Sequence, residues 1–326
     1  MAKSPIPIKN PVRNNAEPKS ICITTTKTSS LLKVKKYAAI DVGSNAIRLL
    51  IMNIIERKGE EPLFTKNAII RAPIRLGSDS FVAGEISSKK KKRMIDSIKA
   101  FRLLMKVHNV DRYLAYATSA LREANNGLQV TAEIRKKTGV NIEIIDGHRE
   151  AEIIASTDLY KVVKPDQNYL FVDVGGGSTE LTVYSQGQIV VSKSFKIGTV
   201  RLLKKMVDKS VWNSYKRWII KHTSGYKQMS VLGSGGTINS LFKLSGNSAG
   251  EPLSYDFIKE KYKTFQSMSP KQMMVDFSFN ADRADVIEQA TRIYLMGMKH
   301  SNSSQIHVPK VGLADGMVKL LYKEKG

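Results

Sequence analysis

The sequence predicts an α/β protein built as two similar halves that face each other across a cleft. Three observations lead there. From Tyr37 onward, strand-like runs alternate with helix-like runs. One strand–turn pattern occurs twice: "YAAIDVG" at 37–43 matches "YLFVDVG" at 169–175, an offset of 132 residues. That period is too long for a solenoid and suits a duplicated domain, each copy offering a hairpin turn to the space between. Finally, 326 residues at 42% hydrophobic content are enough for about two domain cores.

The elements follow in order. Residues 1–36 are rich in Pro, Ser, Thr, Asn and Lys without apolar periodicity, which predicts a disordered basic tail. "YAAIDVGSNAIRLLIMNII" reads as strand, tight turn, strand, and "EPLFTKNAIIRAPIRL" adds a third strand. Over residues 87–107, Ile95, Ile98, Phe101, Leu104 and Met105 fall on one face, which predicts a helix. "LAYATSALR" is a strand running into a turn and helix, "NIEIID" a short strand, and "REAEIIASTDLY" a helix. "NYLFVDVGGGSTELTVY" is a strand, a glycine turn and a second strand, and residues 189–195 form another. "MSVLGSGGTINSLFKL" is strand, glycine loop, helix. Residues 281–299 predict a single helix, "QIHV" a strand, and 311–323 a final helix.

Composition narrows the function classes. The formal net charge is +23, of which the tail supplies +7, so the body itself is basic and a polyanionic partner is expected. No zinc finger, RNA-recognition signature or aromatic-interleaved basic stripe is present, so no specific nucleic-acid function is expected. A single cysteine, Cys22, excludes an intramolecular disulfide framework and Cys-rich zinc modules. No apolar run approaches the roughly 18 residues of a membrane span, and no signal core opens the chain. The expected location is cytoplasmic, with no membrane partner.

Glycine within a strand context is locally costly, so the three glycines after Asp173 need a compensating purpose. Tight glycine turns expose consecutive backbone N–H groups, which form a concave anion site that phosphate oxygens can approach closely. Carboxylates beside such turns repel phosphate directly but meet it through Mg²⁺ or another divalent cation, which prefers oxygen ligands. A third loop places Gly233, Ser234, Gly235 and Gly236 before a helix starting near Thr237, where backbone donors and the helix N-terminus favour an anion. It lacks the G-K-[ST] ending of a P-loop and the spacing of a Rossmann turn. His148 and residues 89–93, a basic run, each read as solvated groups first and substrate contacts second.

Together these motifs carry a resemblance. "DVGSN" at 41–45, "DVGGGSTE" at 173–180 and "LGSGGT" at 232–237 resemble the exopolyphosphatase / guanosine pentaphosphate phosphohydrolase family, of the actin, sugar kinase and Hsp70 ATPase superfold. "ATSALREANNG", "IIDGHREAEII", "IGTVRL" and "GLADGM" extend the match to residues 37–323.

The resemblance implies two actin-like (ribonuclease H-like) domains around a central cleft. On that pattern domain I is 37–148 plus the C-terminal helix 311–326, and domain II is 149–310. It implies a catalytic Glu150 and an Arg122 beside the substrate. It assigns the metal to Asp41, Asp173 and Glu180, with Mg²⁺ or another divalent cation as cofactor. The glycine turns then supply the phosphate site: Gly43, Ser44 and Asn45; Gly175, Gly176, Gly177, Ser178 and Thr179; and Gly233, Ser234, Gly235, Gly236 and Thr237. The implied activity is metal-dependent release of terminal phosphate from inorganic polyphosphate. Guanosine pentaphosphate is the alternative substrate, and a non-hydrolysing polyphosphate or alarmone sensor the alternative class. A homodimer is left open.

Overall fold

The computed structural model describes residues 32–155, 157, 164 and 166–324. The first half opens with an antiparallel meander of β1 (Lys33–Val42), β2 (Ile47–Glu56) and β3 (Leu63–Ala72). Helices α1 (Gly77–Ala83) and α2 (Ser88–Val107) carry the chain to β4 (Arg112–Ala117), which returns parallel to β1. Helices α3 (Ser119–Glu123) and α4 (Gly127–Thr138) lead to β5 (Glu143–Ile144), parallel to β4. The sheet order is β3-β2-β1-β4-β5. Helix α5 (Gly147–Ala155) then crosses to the second half.

The second half repeats the plan. Strands β6 (Asn168–Val174), β7 (Thr179–Ser185) and β8 (Gln188–Phe195) form the meander. After α6 (Thr199–Leu203) and α7 (Lys209–Thr223), β9 (Met229–Ser234) lies parallel to β6. Then come α8 (Gly236–Ser245), β10 (Leu253–Ser254), α9 (Tyr255–Ser267), α10 (Pro270–Asp276), α11 (Ala281–Ala284) and α12 (Ile287–His300). Strand β11 (Gln305–His307) lies parallel to β9, and α13 (Leu313–Lys323) follows. The order β10-β11-β9-β6-β7-β8 is the first sheet's order with one added edge strand, β10. The repeat seen in the sequence is therefore a repeat of topology.

Central strands are apolar on both faces because both faces are covered. One core lies between the first sheet and α2 and α4, including Ile40, Leu49, Ile98 and Phe101. A second joins the other sheet to α7, α8, α9 and α12 through Leu170, Tyr215, Leu241, Ile258 and Tyr294. A third lies between the halves. There α5, lying against β8, and α13, lying against β1, β2 and β4, pack on each other and bury Tyr37, Ala39, Ile153, Phe171, Leu232, Met317 and Leu321. Their closest approach requires Gly316, where a Cβ would collide with the Ile153 carbonyl.

Three expectations change. Strand β1 begins at Lys33, so residues 33–36 belong to the sheet rather than to the tail. The Lys35 ammonium pairs with Glu56 on β2 and the Lys36 amide donates to Asp111, which gives these basic residues partners at a sheet end. The tail before residue 32 lies outside the described residues. The helix expected over 281–299 is two helices, α11 and α12, parted at Asp285 and Val286. The break brings Arg283 to the cleft and lets Asp282 and Asp285 pair with Arg71 and Arg75 of the other half, while α12 buries Ile287, Ala290 and Ile293. The helix expected from Arg149 starts at Gly147, and its expected end falls on residues outside the description. No helix among the described residues is long and apolar enough to cross a membrane.

Candidate active site

The two repeated turns close with the same hydrogen bond. In the first, the Gly43 amide donates to the Ala46 carbonyl at 3.1 Å; in the second, Gly175 donates to Ser178 at 3.0 Å. The carbonyls of Ser44 and Asn45 accept from the amides of Gly77 (2.8 Å) and Arg75 (2.9 Å), in the segment after β3. The carbonyls of Gly175 and Gly176 accept from the amides of Thr199 (3.0 Å) and Val200 (2.8 Å), in the segment after β8. The Gly177 carbonyl accepts from the Arg201 side chain, Nε at 2.7 Å.

Two of the three glycines, Gly176 and Gly177, follow from how closely the two halves approach, while a Cβ on Gly175 would crowd the Ser178 carbonyl of its own turn at 3.1 Å. A Cβ on Gly176 would lie 2.9 Å from the Ser44 Cβ and 3.2 Å from the Asn45 nitrogen. On Gly177 it would collide with Ser119 and Phe81. Ser44 and Ser119 in turn join their hydroxyls at 2.8 Å. The third loop has a different need: Gly235 adopts φ +113°, which an L side chain resists.

Each turn is preceded by an aspartate at a strand end. Asp41 pairs in register with Arg48, whose guanidinium lies 3.2 Å from it. Asp173 pairs in register with Glu180 on β7 and Ser234 on β9. Helix α5 adds Glu150, only 8% exposed, whose Oε2 finds no hydrogen-bond partner among the described residues. The nearest cation is the Arg122 Nη1 at 4.0 Å, and Arg122 itself donates to the Ile145 carbonyl at 2.7 Å.

These groups surround a cavity of about 260 Å³. Of the residues singled out in the sequence, Asp41, Gly43, Ser44, Asn45, Glu150, Asp173, Gly175, Gly176, Ser178, Ser234, Gly235, Gly236 and Thr237 lie on its wall. Arg122, Gly177, Thr179, Glu180 and Gly233 stand behind it. Thr179 donates to the Ile197 carbonyl, Glu180 accepts from the Ser194 hydroxyl at 2.8 Å, and Gly233 packs against Ile306 and Ile238. His148 is exposed beside Glu152, and in the 89–93 run Lys90 and Lys91 pair with Asp79 and Glu133, so none of these reaches the cleft.

The sequence reading missed the cleft's cations. Arg48, Lys66, Arg71, Arg283 and Lys310 all line it. Arg71 pairs with Asp282, Arg75 with Asp285 at 2.5 Å, and Lys66 with Asp315 at 2.7 Å, all ties from the β3 region across the mouth. Arg283 lies over Gly236 and donates to the Thr237 hydroxyl at 2.6 Å. Burial, then Arg71 and Arg48, push Arg283 down to about 10, which leaves it a cation at neutral pH.

The carboxylates load the site with opposing charge. Burial first, then Glu180, Asp173 and Asp41, hold the Glu150 carboxyl well above its usual range, against the pull of Arg122. Burial and then Asp173 push Glu180 up to about 7. Burial also raises Asp41 and Asp173, opposed by Arg48 for the first and chiefly by the Ser234 hydroxyl for the second. The all-oxygen donor set and the orphaned Glu150 oxygen fit a hard divalent cation, which would offset this crowding. No three His, Cys, Asp or Glu side chains among the described residues already form a cation cage. Asp41 and Asp173 on the wall would bind such an ion, with Glu180 behind them and the remaining positions filled by water and substrate oxygens.

A model of the Ppx/GppA phosphatase family matches residues 55–324, across the cleft's segments from β3 to α13. The chain belongs to the Ppx/GppA phosphatase family. Exopolyphosphatase 1 of Mycobacterium tuberculosis is 27% identical over 167 residues, covering 51% of this chain and 47% of that protein. The chain thus spans about half the length of the curated relatives it matches. Among solved structures, an exopolyphosphatase from Cytophaga hutchinsonii superposes with a TM-score of 0.76 at 23% identity, covering 89% of this chain and 97% of that one. The Aquifex aeolicus Ppx/GppA family member gives 0.70 at 24%, covering 90% and 100%. At these identities the likeness establishes the fold: α/β, with two actin-like domains around a cleft, as in other Ppx/GppA structures.

Proposed function

We propose that this Ppx/GppA chain is an exopolyphosphatase that hydrolyses the terminal phosphoanhydride bond of inorganic polyphosphate in the cleft. The observation that carries this is Glu150: a buried carboxylate with one unpartnered oxygen, on the wall of a cavity flanked by two glycine turns. Phosphoanhydride hydrolysis asks little covalent work of the protein; it needs an oriented water and a neutralised phosphoryl group. Glu150 accepts a proton from the attacking water, and its raised proton affinity suits that task. Backbone amides of residues 44–46 and 176–178 donate to the phosphoryl oxygens as charge develops. Arg48 and Arg283 hold the remaining phosphates, and Arg122 steadies Glu150 from behind. A divalent cation, Mg²⁺ by its preference for oxygen, supplies charge neutralisation when bound by Asp41 and Asp173 with Glu180 in support. Domain I is taken as residues 33–148 with α13, domain II as 149–310, and the location as cytoplasmic.

A second substrate is favoured by one feature. Leu50, Ile69, Val286 and Val311 give the cavity an apolar wall that suits a nucleobase better than a phosphate chain, so guanosine pentaphosphate remains the alternative. Phosphate release from polyphosphate, guanosine pentaphosphate and ATP, measured side by side with Mg²⁺, tests the proposal. Phosphate release from polyphosphate, abolished in Glu150→Gln, supports it; a wild type inert toward polyphosphate refutes it, and release from guanosine pentaphosphate alone selects the alternative.

A further inference from the structure

The carbonyls of Gly175, Gly176 and Gly177 each accept a hydrogen bond on the α6 side, from Thr199 N, Val200 N and Arg201 Nε. A trans peptide is planar, so its carbonyl and N–H point in opposite directions. Fixing three successive carbonyls therefore aims the amides of Gly176, Gly177 and Ser178 away from α6. No acceptor among the described residues takes those amides. Two of the three peptides are held by backbone. The third, Gly177–Ser178, is held by a side chain, and Ser178 lies on the cavity wall.

The first turn shows what that side chain replaces. There the equivalent peptide, Asn45–Ala46, is held through its carbonyl by the backbone amide of Arg75. In the second turn, the offset of 132 residues puts Gly177 in the place of Asn45, and the Arg201 guanidinium takes over the amide's task. Its other end reaches into the first half: Nη2 pairs with Glu123 of α3, and the guanidinium lies 3.9 Å from the centre of the Phe81 ring on α1. Arg201 is 7% exposed, and these contacts account for its planar fork.

We infer that Arg201 is a positioning residue: it orients the Gly177–Ser178 peptide so that the Ser178 amide faces the cleft as a phosphate donor, and it does so only while tied to Glu123 and Phe81 of the other half. The inference rests on the phosphate-binding reading of the cleft given above. An arginine that only filled space would affect stability alone. One that aims a donor affects ligand binding and turnover in protein that is fully folded.

The test uses the full chain, with tripolyphosphate as the binding probe in calorimetry and polyphosphate as the kinetic substrate. All measurements are made well below each variant's melting temperature. Arg201→Met should weaken tripolyphosphate binding and lower kcat/KM by about 10–100-fold, the scale of a misaligned donor. Arg201→Lys should recover part of the loss, because an ammonium reaches either Gly177 or Glu123 but not both. In Arg201→Ala, millimolar guanidinium should restore activity where ammonium does not. If the arginine variants fail to fold, Glu123→Gln decides: it keeps the shape but removes the charge that anchors Arg201, and should lower kcat/KM about 3–10-fold. Wild-type binding and kinetics in folded Arg201→Met, or in Glu123→Gln, overturn the inference and leave the proposed function standing. A wild type that binds tripolyphosphate without hydrolysing polyphosphate refutes the function alone, and the binding data still decide the role of Arg201. A wild type that binds no tripolyphosphate overturns both.

Discussion

Arg48 and Glu180 hold the same position in the two sheets: each sits seven residues after its domain's aspartate and opposite it in the first antiparallel ladder. The duplicated plan therefore carries a cation in one half and a carboxylate in the other. That difference puts a positive charge beside Asp41 and a second carboxylate beside Asp173. In the proposed site Arg48 thereby serves phosphate, while Asp41 and Asp173 serve the cation with Glu180 in support.

Arg48→Gln should separate these roles. It removes a guanidinium from the cleft wall without touching Glu150. The expected result is a KM for polyphosphate raised about tenfold, within the range for a charge-assisted hydrogen bond, with kcat less affected. Kinetics across a Mg²⁺ titration check it. The half-saturating Mg²⁺ concentration should fall, because a repelling cation has been removed.

Glu150→Gln keeps the shape and removes the base. The expected fall in kcat is roughly 10²–10⁴-fold, with tripolyphosphate still bound. Single-turnover phosphate release and calorimetry on the same sample measure both. Normal turnover would move the base elsewhere.

Stability should depend on pH with an unusual sign. Glu150, Glu180, Asp41 and Asp173 all have raised proton affinity in the folded protein. At these four groups the native state thus binds more protons than the unfolded state, and their stabilisation is present at low pH and lost as pH rises through the folded values. For Glu180 that window runs from the ordinary carboxylate range to about 7. In the absence of divalent cations, the melting temperature should fall as pH rises through this window. Millimolar Mg²⁺ should flatten the dependence. Differential scanning calorimetry with and without EDTA is the measurement.

Gly198→Ala tests the close approach at the second turn. Gly198 has an ordinary extended φ of −137°, so backbone strain does not enter. A Cβ there would collide with the peptide backbone between Gly176 and Gly177, which cannot give way as a side chain could. The expected destabilisation is about 1–3 kcal/mol, with activity lost. Gly225→Ala, where a Cβ meets open space, is the control and should melt as the wild type does.

What the sequence revealed was what lay contiguous in it. The turns at 41–46 and 173–180 each combine a carboxylate, glycines and a flanking strand in one stretch, so their chemistry and their duplication were both legible. The cleft's cations were not, because Arg48, Arg71 and Arg283 come from β2, β3 and α11 and look like any basic residue until the sheets bring them together. Gly233 shows the opposite failure. It stands in a glycine loop like its neighbours, yet it serves packing, since only the fold brings Ile306 and Ile238 against it. The break at Asp285 was hidden by helix-compatible residues on both sides; only the fold brings Arg75 of the other half to that side chain.

Helix α13 has a consequence for how the protein is made. Its Leu313, Met317, Val318 and Leu321 cover the inner face of β1 and β2, at Tyr37, Ala39 and Leu50. On the ribosome those strands emerge before any of the second sheet, and their cover emerges after all of it. Each half has a core of its own, and the face of the second sheet at Phe171 and Leu232 shares the same cover. The first half must wait with an apolar face open to water, and the loop its closure demands spans nearly the whole chain. The strands made first are thus covered on this face only after the last helix has been made, and until then that face is exposed to the solvent.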